Sequence, residues 1–177
     1  MVAIGSPMLI IGVCVKLTSP GPALFRQRRY GLNGEVIDVL KFRTMTVTED
    51  GEEIKQATKN DPRITKFGAF LRRTNLDELP QLWNVIKGEM SIVGPRPLLF
   101  KYIPLYSDEQ RRRHLERPGI TGLSQVNGRN AISWTRKFEL DVYYVDHLSF
   151  CLDLKIILHT CLKVIKSDGV NAAPDIT

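Results

Sequence analysis

The sequence predicts a single α+β domain, predominantly helical, with one β-hairpin near its start. Three observations carry this. The runs Ala23–Tyr30 and Val36–Phe42 have strand composition and flank Asn33-Gly34, the strongest short hairpin signal. Stretches at 65–73, 76–87, 108–116, 133–146 and 150–167 instead repeat their apolar residues at helical spacing. The chain of 177 residues, 43% hydrophobic and 25% charged, is one globular domain's worth of material. That composition excludes collagen-like, low-complexity and disordered classes.

The chain opens on an almost wholly apolar stretch from Val2 to Leu17, with its first charge at Lys16. As a helix this stretch reaches roughly 24 Å, short of the roughly 30 Å of hydrocarbon in a bilayer. A basic start and a small-residue cleavage site are both missing, so it does not read as a signal peptide. Ser6-Pro7 falls in its middle, where proline removes a backbone hydrogen bond and should break the helix. Two readings stand: a buried core helix, or a segment that dips into one leaflet and turns back. Thr18-Ser19-Pro20-Gly21-Pro22 then stops the helix and leads into the hairpin.

Residues 46–60 are polar and charged, and read as a mobile surface loop. Asn75 with Glu78 forms a plausible capping pair for the helix over 76–87, and Ser107 with Gln110 a capping box for the one over 108–116. Pro118-Gly119 ends that helix, and a Gly- and Asn-rich loop runs to Asn130. The last helix is apolar around much of its girth, from Phe150 to Ile165, with a stripe of Lys155, His159, Lys163 and Lys166; Gly169 closes it. It suits a core helix or a basic amphipathic helix lying on a membrane. No internal repeat or linker divides the chain.

A net charge of +6 points to an anionic partner: nucleic acid, a phosphorylated substrate or an acidic membrane surface. A nucleic-acid binder would need a recognition helix or an aromatic stacking platform, and the sequence offers neither. Cys14, Cys151 and Cys161 are odd in number and lack CxxC spacing, against a disulfide framework or zinc ribbon. His114, His147 and His159 lack metal-ligand spacing. No GxGxxG, Walker A or GxSxG sequence is present.

Chemistry concentrates around Asp77-Glu78 at a helix start, with Arg72 and Arg73 just before. This is either plain capping or a carboxylate kept ionised beside free N–H groups, ready to act on a phosphate. Lys41 and Arg43 at the end of the second strand, Arg96 between two prolines and Arg129 in the Gly-Asn loop are further cationic candidates. Asp141 stands four residues after Lys137, spacing that also suits a simple helical ion pair. The run Arg111-Arg112-Arg113 reads as a solvated face. Lys16, Arg26, Arg28 and Arg29 lie close to the apolar start and suit acidic headgroups.

The motifs KFRTM (41–45), DPRIT (61–65), NLDELPQLWNVIKGEMSIVGPRP (75–97), RPGITGLSQVNGRN (117–130) and KFELDVYYVDHLSF (137–150) occur together and in order. With them the chain resembles the bacterial sugar transferases, in particular their small monotopic phosphoglycosyl transferases, over nearly its full length. It looks most similar to those that load N,N′-diacetylbacillosamine phosphate onto undecaprenyl phosphate for protein glycosylation. The resemblance implies transfer of a sugar 1-phosphate from a UDP-sugar to undecaprenyl phosphate, release of UMP and a need for Mg²⁺. Relatives that handle UDP-galactose, UDP-glucose or another UDP-HexNAc for capsule or O-antigen are the alternative. It implies Asp77 as nucleophile and metal ligand, Glu78 as its support, and Lys41, Arg72, Arg96, Arg129 and Asp141 as substrate-binding residues. It further implies a re-entrant helix turning at Ser6-Pro7 and several interfacial helices, on the cytoplasmic face of the bacterial inner membrane. Residues 1–22 would then be membrane helix and linker, and 23–177 the catalytic domain. The family's longer basic and aromatic start is missing before Ser6, so the membrane segment is expected to be truncated or its start misplaced. Asn75 stands where the family usually has Ser. The resemblance leaves the oligomeric state open.

Overall fold

The structure is a computed structural model that describes residues 2–46, 61–128 and 131–166. Residues 47–60, Arg129, Asn130 and the stretch holding Gly169 lie outside the described residues. The surface loop expected at 46–60 therefore falls almost wholly outside them.

Helix α1 (Val2–Thr18) runs without interruption through Pro7, so the expected break at Ser6-Pro7 is not present. Proline so near the start forfeits a single hydrogen bond, which the rest of the helix tolerates. Only one stripe of α1 enters the core: Met8 and Ile11 pack beside Val15, which is 1% exposed and meets Phe42 and Leu71. Leu9, Ile10, Val13 and Leu17 remain exposed on its other side. A buried core helix thus describes one face alone. The chain leaving α1 is held by Arg43, which donates to the carbonyl oxygens of Ser19 and Pro20.

The expected hairpin is present. Strands β1 (Leu24–Tyr30) and β2 (Val36–Phe42) pair antiparallel, with Leu24 opposite Phe42 and Tyr30 opposite Val36. Asn33 at φ 51° and Gly34 at φ 80° turn the connection. The twofold alternation of β2 puts Ile37, Val39 and Lys41 on one face. Ile37 and Val39 join Met90 in a core cluster, so Lys41 is carried toward the interior with them.

Helix α2 (Lys66–Thr74) is capped by Thr65, whose hydroxyl accepts from the Gly68 amide at 2.9 Å. Gly68 lies against the Thr44 backbone; a Cβ there would sit 2.0 Å from the Thr44 carbonyl oxygen. That close approach seats α2 directly on the residues following β2. Asn75, at φ 55°, ends α2 in the left-handed region instead of capping the next helix by its side chain. The helix expected over 76–87 is divided. A 3-10 turn covers Leu76–Glu78, and helix α3 begins only at Gln81 and ends at Ile86. Pro80 has no N–H to continue a helical ladder, and Leu79 closes a tight turn on Leu76 instead. Asn84, 1% exposed, ties α3 to β2 by accepting from Leu40 N and donating to the Asp38 carbonyl.

A second, parallel pair joins β3 (Ser91–Val93) to β4 (Gly119–Thr121). Its strands of three residues are too short for period-2 patterning to reveal. Gly119 fits because a Cβ there would lie 2.1 Å from the Gly94 nitrogen. Between the two strands, α4 (Asp108–Arg111) starts with the expected Ser107–Gln110 capping box and tightens into a 3-10 turn over Arg112–Leu115. Helices α5 (Leu123–Val126), α6 (Trp134–Asp146) and α7 (Phe150–Lys166) follow. Ile156 of α7, 1% exposed, packs on Val93, Val126 and Tyr144. Phe150, Leu154, Leu158 and Leu162 recur every four residues along α7, and all four are exposed. Among the described residues no helix is long and apolar enough to cross a membrane.

Candidate active site

The site is built where the end of β2, the end of α2, the 3-10 turn and the loop after β3 converge. Glu78 lies at its centre, 8% exposed. Its carboxylate accepts from Lys41 Nζ at 2.8 Å and from Arg96 Nη2 at 2.7 Å. The β2 face delivers Lys41. Arg96 is delivered by a loop fixed at both ends: Gly94 N donates to Thr121 O at 2.9 Å and Gly119 N donates to Pro95 O at 3.1 Å. Arg72, in the last turn of α2, donates from Nε to the Thr44 hydroxyl at 2.8 Å.

The two adjacent carboxylates have different roles. Glu78 is the shared counter-ion of two cations. Among the described residues, the Asp77 side chain is engaged by no ion pair, although it shares an electrostatic environment with Lys41, Arg72, Arg96 and Glu78. Burial, and then the negative charge of Glu78, raise its pKa above the ordinary 3.8 against the pull of the cations. The helix start expected to favour ionised Asp77 is a turn of only three residues, and burial acts on its carboxyl in the opposite direction. A carboxylate of raised pKa is the more basic nucleophile once ionised. Burial lowers the Lys41 pKa below 10.5, partly offset by Glu78. Glu78 raises that of Arg96, and burial lowers that of Arg72.

These directions fix the shape of a pH profile. Activity that needs ionised Asp77 is lost as pH falls through a pKa above 3.8. Activity that needs charged Lys41 is lost as pH rises through a pKa below 10.5. The rate should therefore be bell-shaped, and Lys41→Arg should move only the alkaline limb upward. An alkaline limb unmoved by that substitution would assign it to another group.

The structure brings Lys41, Arg72, Asp77, Glu78 and Arg96 together. Arg129 lies outside the described residues. Asp141 is placed differently. It is 3% exposed on α6, and both of its oxygens are occupied. Ser124 Oγ donates to Oδ1 at 2.8 Å, and Arg113 donates to Oδ2 from Nη2 at 2.7 Å and from Nε at 3.1 Å. An ion pair with Lys137 is not formed; the Lys137 ammonium instead stands 4.5 Å from the Trp134 ring centroid. Sequence reasoning missed Arg113. The run 111–113 is not a uniform solvated face, because the 3-10 turn after α4 rotates Arg113 inward to 2% exposure. Three consecutive arginines carry no signal that ranks them.

Ser6 and Pro7 are both exposed near the start of α1. No group of three or more His, Cys, Asp or Glu side chains arranged to hold a metal ion occurs among the described residues. Asp77 is the carboxylate that would hold a magnesium ion, which commonly needs only one or two protein carboxylates. In charge and geometry the cluster suits a phosphate group: cations with fork or ammonium donors beside one carboxylate that is available and one that is not.

The family model for bacterial sugar transferases matches residues 1–167. The uncharacterized sugar transferase EpsL of Bacillus subtilis (strain 168) is 51% identical over 163 residues, 92% of this chain and 80% of EpsL. The UDP-glucose:undecaprenyl-phosphate glucose-1-phosphate transferase of Klebsiella pneumoniae is 47% identical over 171 residues, 92% of this chain but 37% of that protein. The galactosyl transferase CpsE of Streptococcus agalactiae serotype III is 43% identical, over 93% of this chain and 40% of CpsE. The chain thus spans most of EpsL, but well under half the length of the glucose and galactose enzymes.

Proposed function

The chain belongs to the bacterial sugar transferase family, and we propose that it transfers a hexose 1-phosphate from a UDP-hexose to undecaprenyl phosphate, releasing UMP. The observation that carries this reading is the division of labour at the site: Asp77 available, Glu78 clamped between Lys41 and Arg96. The names of the relatives speak for glucose or galactose and not for N,N′-diacetylbacillosamine. The finer resemblance seen in the sequence is accordingly replaced by its hexose alternative.

In the first step an Asp77 oxygen attacks the phosphorus that bears the sugar. The new O–P bond forms as the P–O bond to UMP breaks, and UMP leaves with the electron pair. In the second step a phosphate oxygen of the polyprenyl acceptor attacks the same phosphorus. The bond to Asp77 breaks, and its carboxylate is restored. Sequential occupancy avoids holding two phosphate anions in one basic pocket, where like charges repel. Arg72, Arg96 and Lys41 offset the charge that develops on the phosphoryl oxygens. Mg²⁺ held by Asp77 would supply further neutralisation of the departing UMP.

Donor and acceptor meet at an interface, since one is water-soluble and the other a lipid. The exposed apolar sides of α1 and α7 support lodging in one leaflet of a membrane, and among the described residues no helix is long and apolar enough to cross it. With UDP-glucose or UDP-galactose alone, the enzyme should release at most one UMP per active site and gain the mass of one hexose phosphate. Undecaprenyl phosphate should then discharge that mass into lipid. Release of UMP only when both substrates are present, with no adduct on the protein, would mean direct displacement and would demote Asp77 to base or metal ligand. In the same preparation the protein should float with lipid vesicles; recovery in the aqueous fraction would count against the interfacial placement.

A further inference from the structure

Arg113 is the most thoroughly enclosed cation in the described structure that the mechanism above leaves unused. Its side chain is 1% exposed, and that of its partner Asp141 is 4% exposed. The guanidinium is held from several sides. Nε and Nη2 donate to Asp141, and Nη1 reaches the Tyr106 hydroxyl at 3.4 Å. The rings of Tyr106 and Phe138 flank it, with centroids 5.9 and 5.7 Å from Cζ. Its Nη2 also donates to the backbone carbonyl of Arg96 at 2.7 Å. Arg96 is the residue whose side chain holds Glu78.

A buried ion pair costs much in desolvation and often adds little stability over apolar side chains of the same volume. Here the pair spends its donors on one particular backbone atom. Ser124 on α5 orients Asp141 on α6, Asp141 orients the Arg113 fork, and the fork fixes the Arg96 carbonyl. The amides of Gly94 and Gly119 secure the same loop from its other side. The loop is thereby fixed in both position and rotation, which determines where the Arg96 guanidinium meets Glu78.

We propose that Arg113, oriented by Asp141 and Ser124, is a positioning residue for the reaction, acting through the Arg96 backbone to set the Arg96–Glu78 clamp. Asp141 then acts as an internal anchor and does not touch substrate. The inference rests on the phosphosugar transfer proposed above. Because the clamp stands beside Asp77, a shift of a fraction of an ångström at Arg96 degrades alignment in the transition state more than it weakens binding of either substrate.

The test is a mutant cycle on the full chain, read as kcat and KM for both substrates. Arg113→Lys keeps the charge opposite Asp141 but loses the fork that reaches Arg96. It should lower kcat roughly tenfold to a hundredfold, with either KM changed less than about twofold. Arg96→Lys should cost as much or more. The double variant Arg96→Lys/Arg113→Lys should be no worse than Arg96→Lys alone, since Arg113 acts only through that residue. Multiplying losses in the double variant would overturn the proposal. So would a loss expressed in the KM of one substrate, which is the result expected if this pair contacts that substrate directly. Should Arg113→Lys fail to fold, Ser124→Ala decides, because it removes only one hydrogen bond to Asp141. A few-fold fall in kcat at constant KM supports the relay, and an unchanged kcat refutes it. A wild-type protein that releases no UMP from any UDP-hexose would strike the functional reading itself, a result separable from every arm of the cycle.

Discussion

Asp77→Asn should lower turnover by more than about 10³-fold while leaving the protein as stable as the wild type or more so. The substitution is nearly isosteric and removes the one carboxylate of the site that the cations do not already occupy. The prediction on stability follows from the same environment that makes Asp77 reactive. Burial and the neighbouring Glu78 raise its pKa above 3.8, so the ionised form is disfavoured in the fold relative to the unfolded chain. Wild-type stability is therefore reduced as pH rises through that raised value, and the asparagine variant escapes the loss. Its advantage in melting temperature should shrink as the pH falls from about 7.5 toward 3.8, because the folded wild type takes up its proton on Asp77 before the unfolded chain does and so regains the lost stability. Reactive groups held in unfavourable surroundings commonly trade stability for activity in this way. Wild-type-like UMP release by the purified variant would remove Asp77 from the mechanism. A melting temperature well below the wild type would mean that its carboxylate holds the fold together.

Glu78→Ala should damage both fold and function. The substitution leaves Lys41 and Arg96 facing each other without their common counter-ion. Breaking one side of a fully buried pair costs about 3–5 kcal/mol. Lys41 and Arg96 keep 21% and 30% of their side-chain exposure, so solvent screens part of the repulsion. A cost of about 2–3 kcal/mol is the better expectation. For a chain of this size that lowers the melting temperature by roughly 5–10 °C. Glu78→Gln, which keeps the shape and one acceptor, should fall between the two. The two adjacent carboxylates thus predict opposite results in one experiment: Asp77→Asn inactive and stable, Glu78→Ala inactive and unstable. Equal melting temperatures for Glu78→Ala and the wild type would show that the clamp contributes nothing to the fold.

The hairpin was legible in the sequence because its signals are local. Asn33-Gly34 has a turn geometry that few other pairs adopt, and β2 alternates with period 2. The cap at Ser107 was legible for the same reason, since a hydroxyl three residues before an amide is a contact within one turn. The cluster of Lys41, Arg72, Asp77, Glu78 and Arg96 was legible as a set through its motifs, although the chain separates its members by up to 55 positions, from 41 to 96.

The division of labour inside that set was legible only through the resemblance, which implies Asp77 as nucleophile and Glu78 as its support. Nothing in Asp77-Glu78 tells which carboxylate faces the cations. That depends on the 3-10 turn made when Asn75 enters the left-handed region and Pro80 withholds its N–H. Nor does the sequence show that Asp141 meets Arg113, 28 residues away, in place of Lys137 one helical turn away. Local spacing determined the elements, because turns, caps and alternation arise from interactions between near neighbours in the chain. The tertiary structure decided the partners. The pairing of a buried charge depends on which other charges the packed elements bring within hydrogen-bond reach, and that is a property of the whole fold.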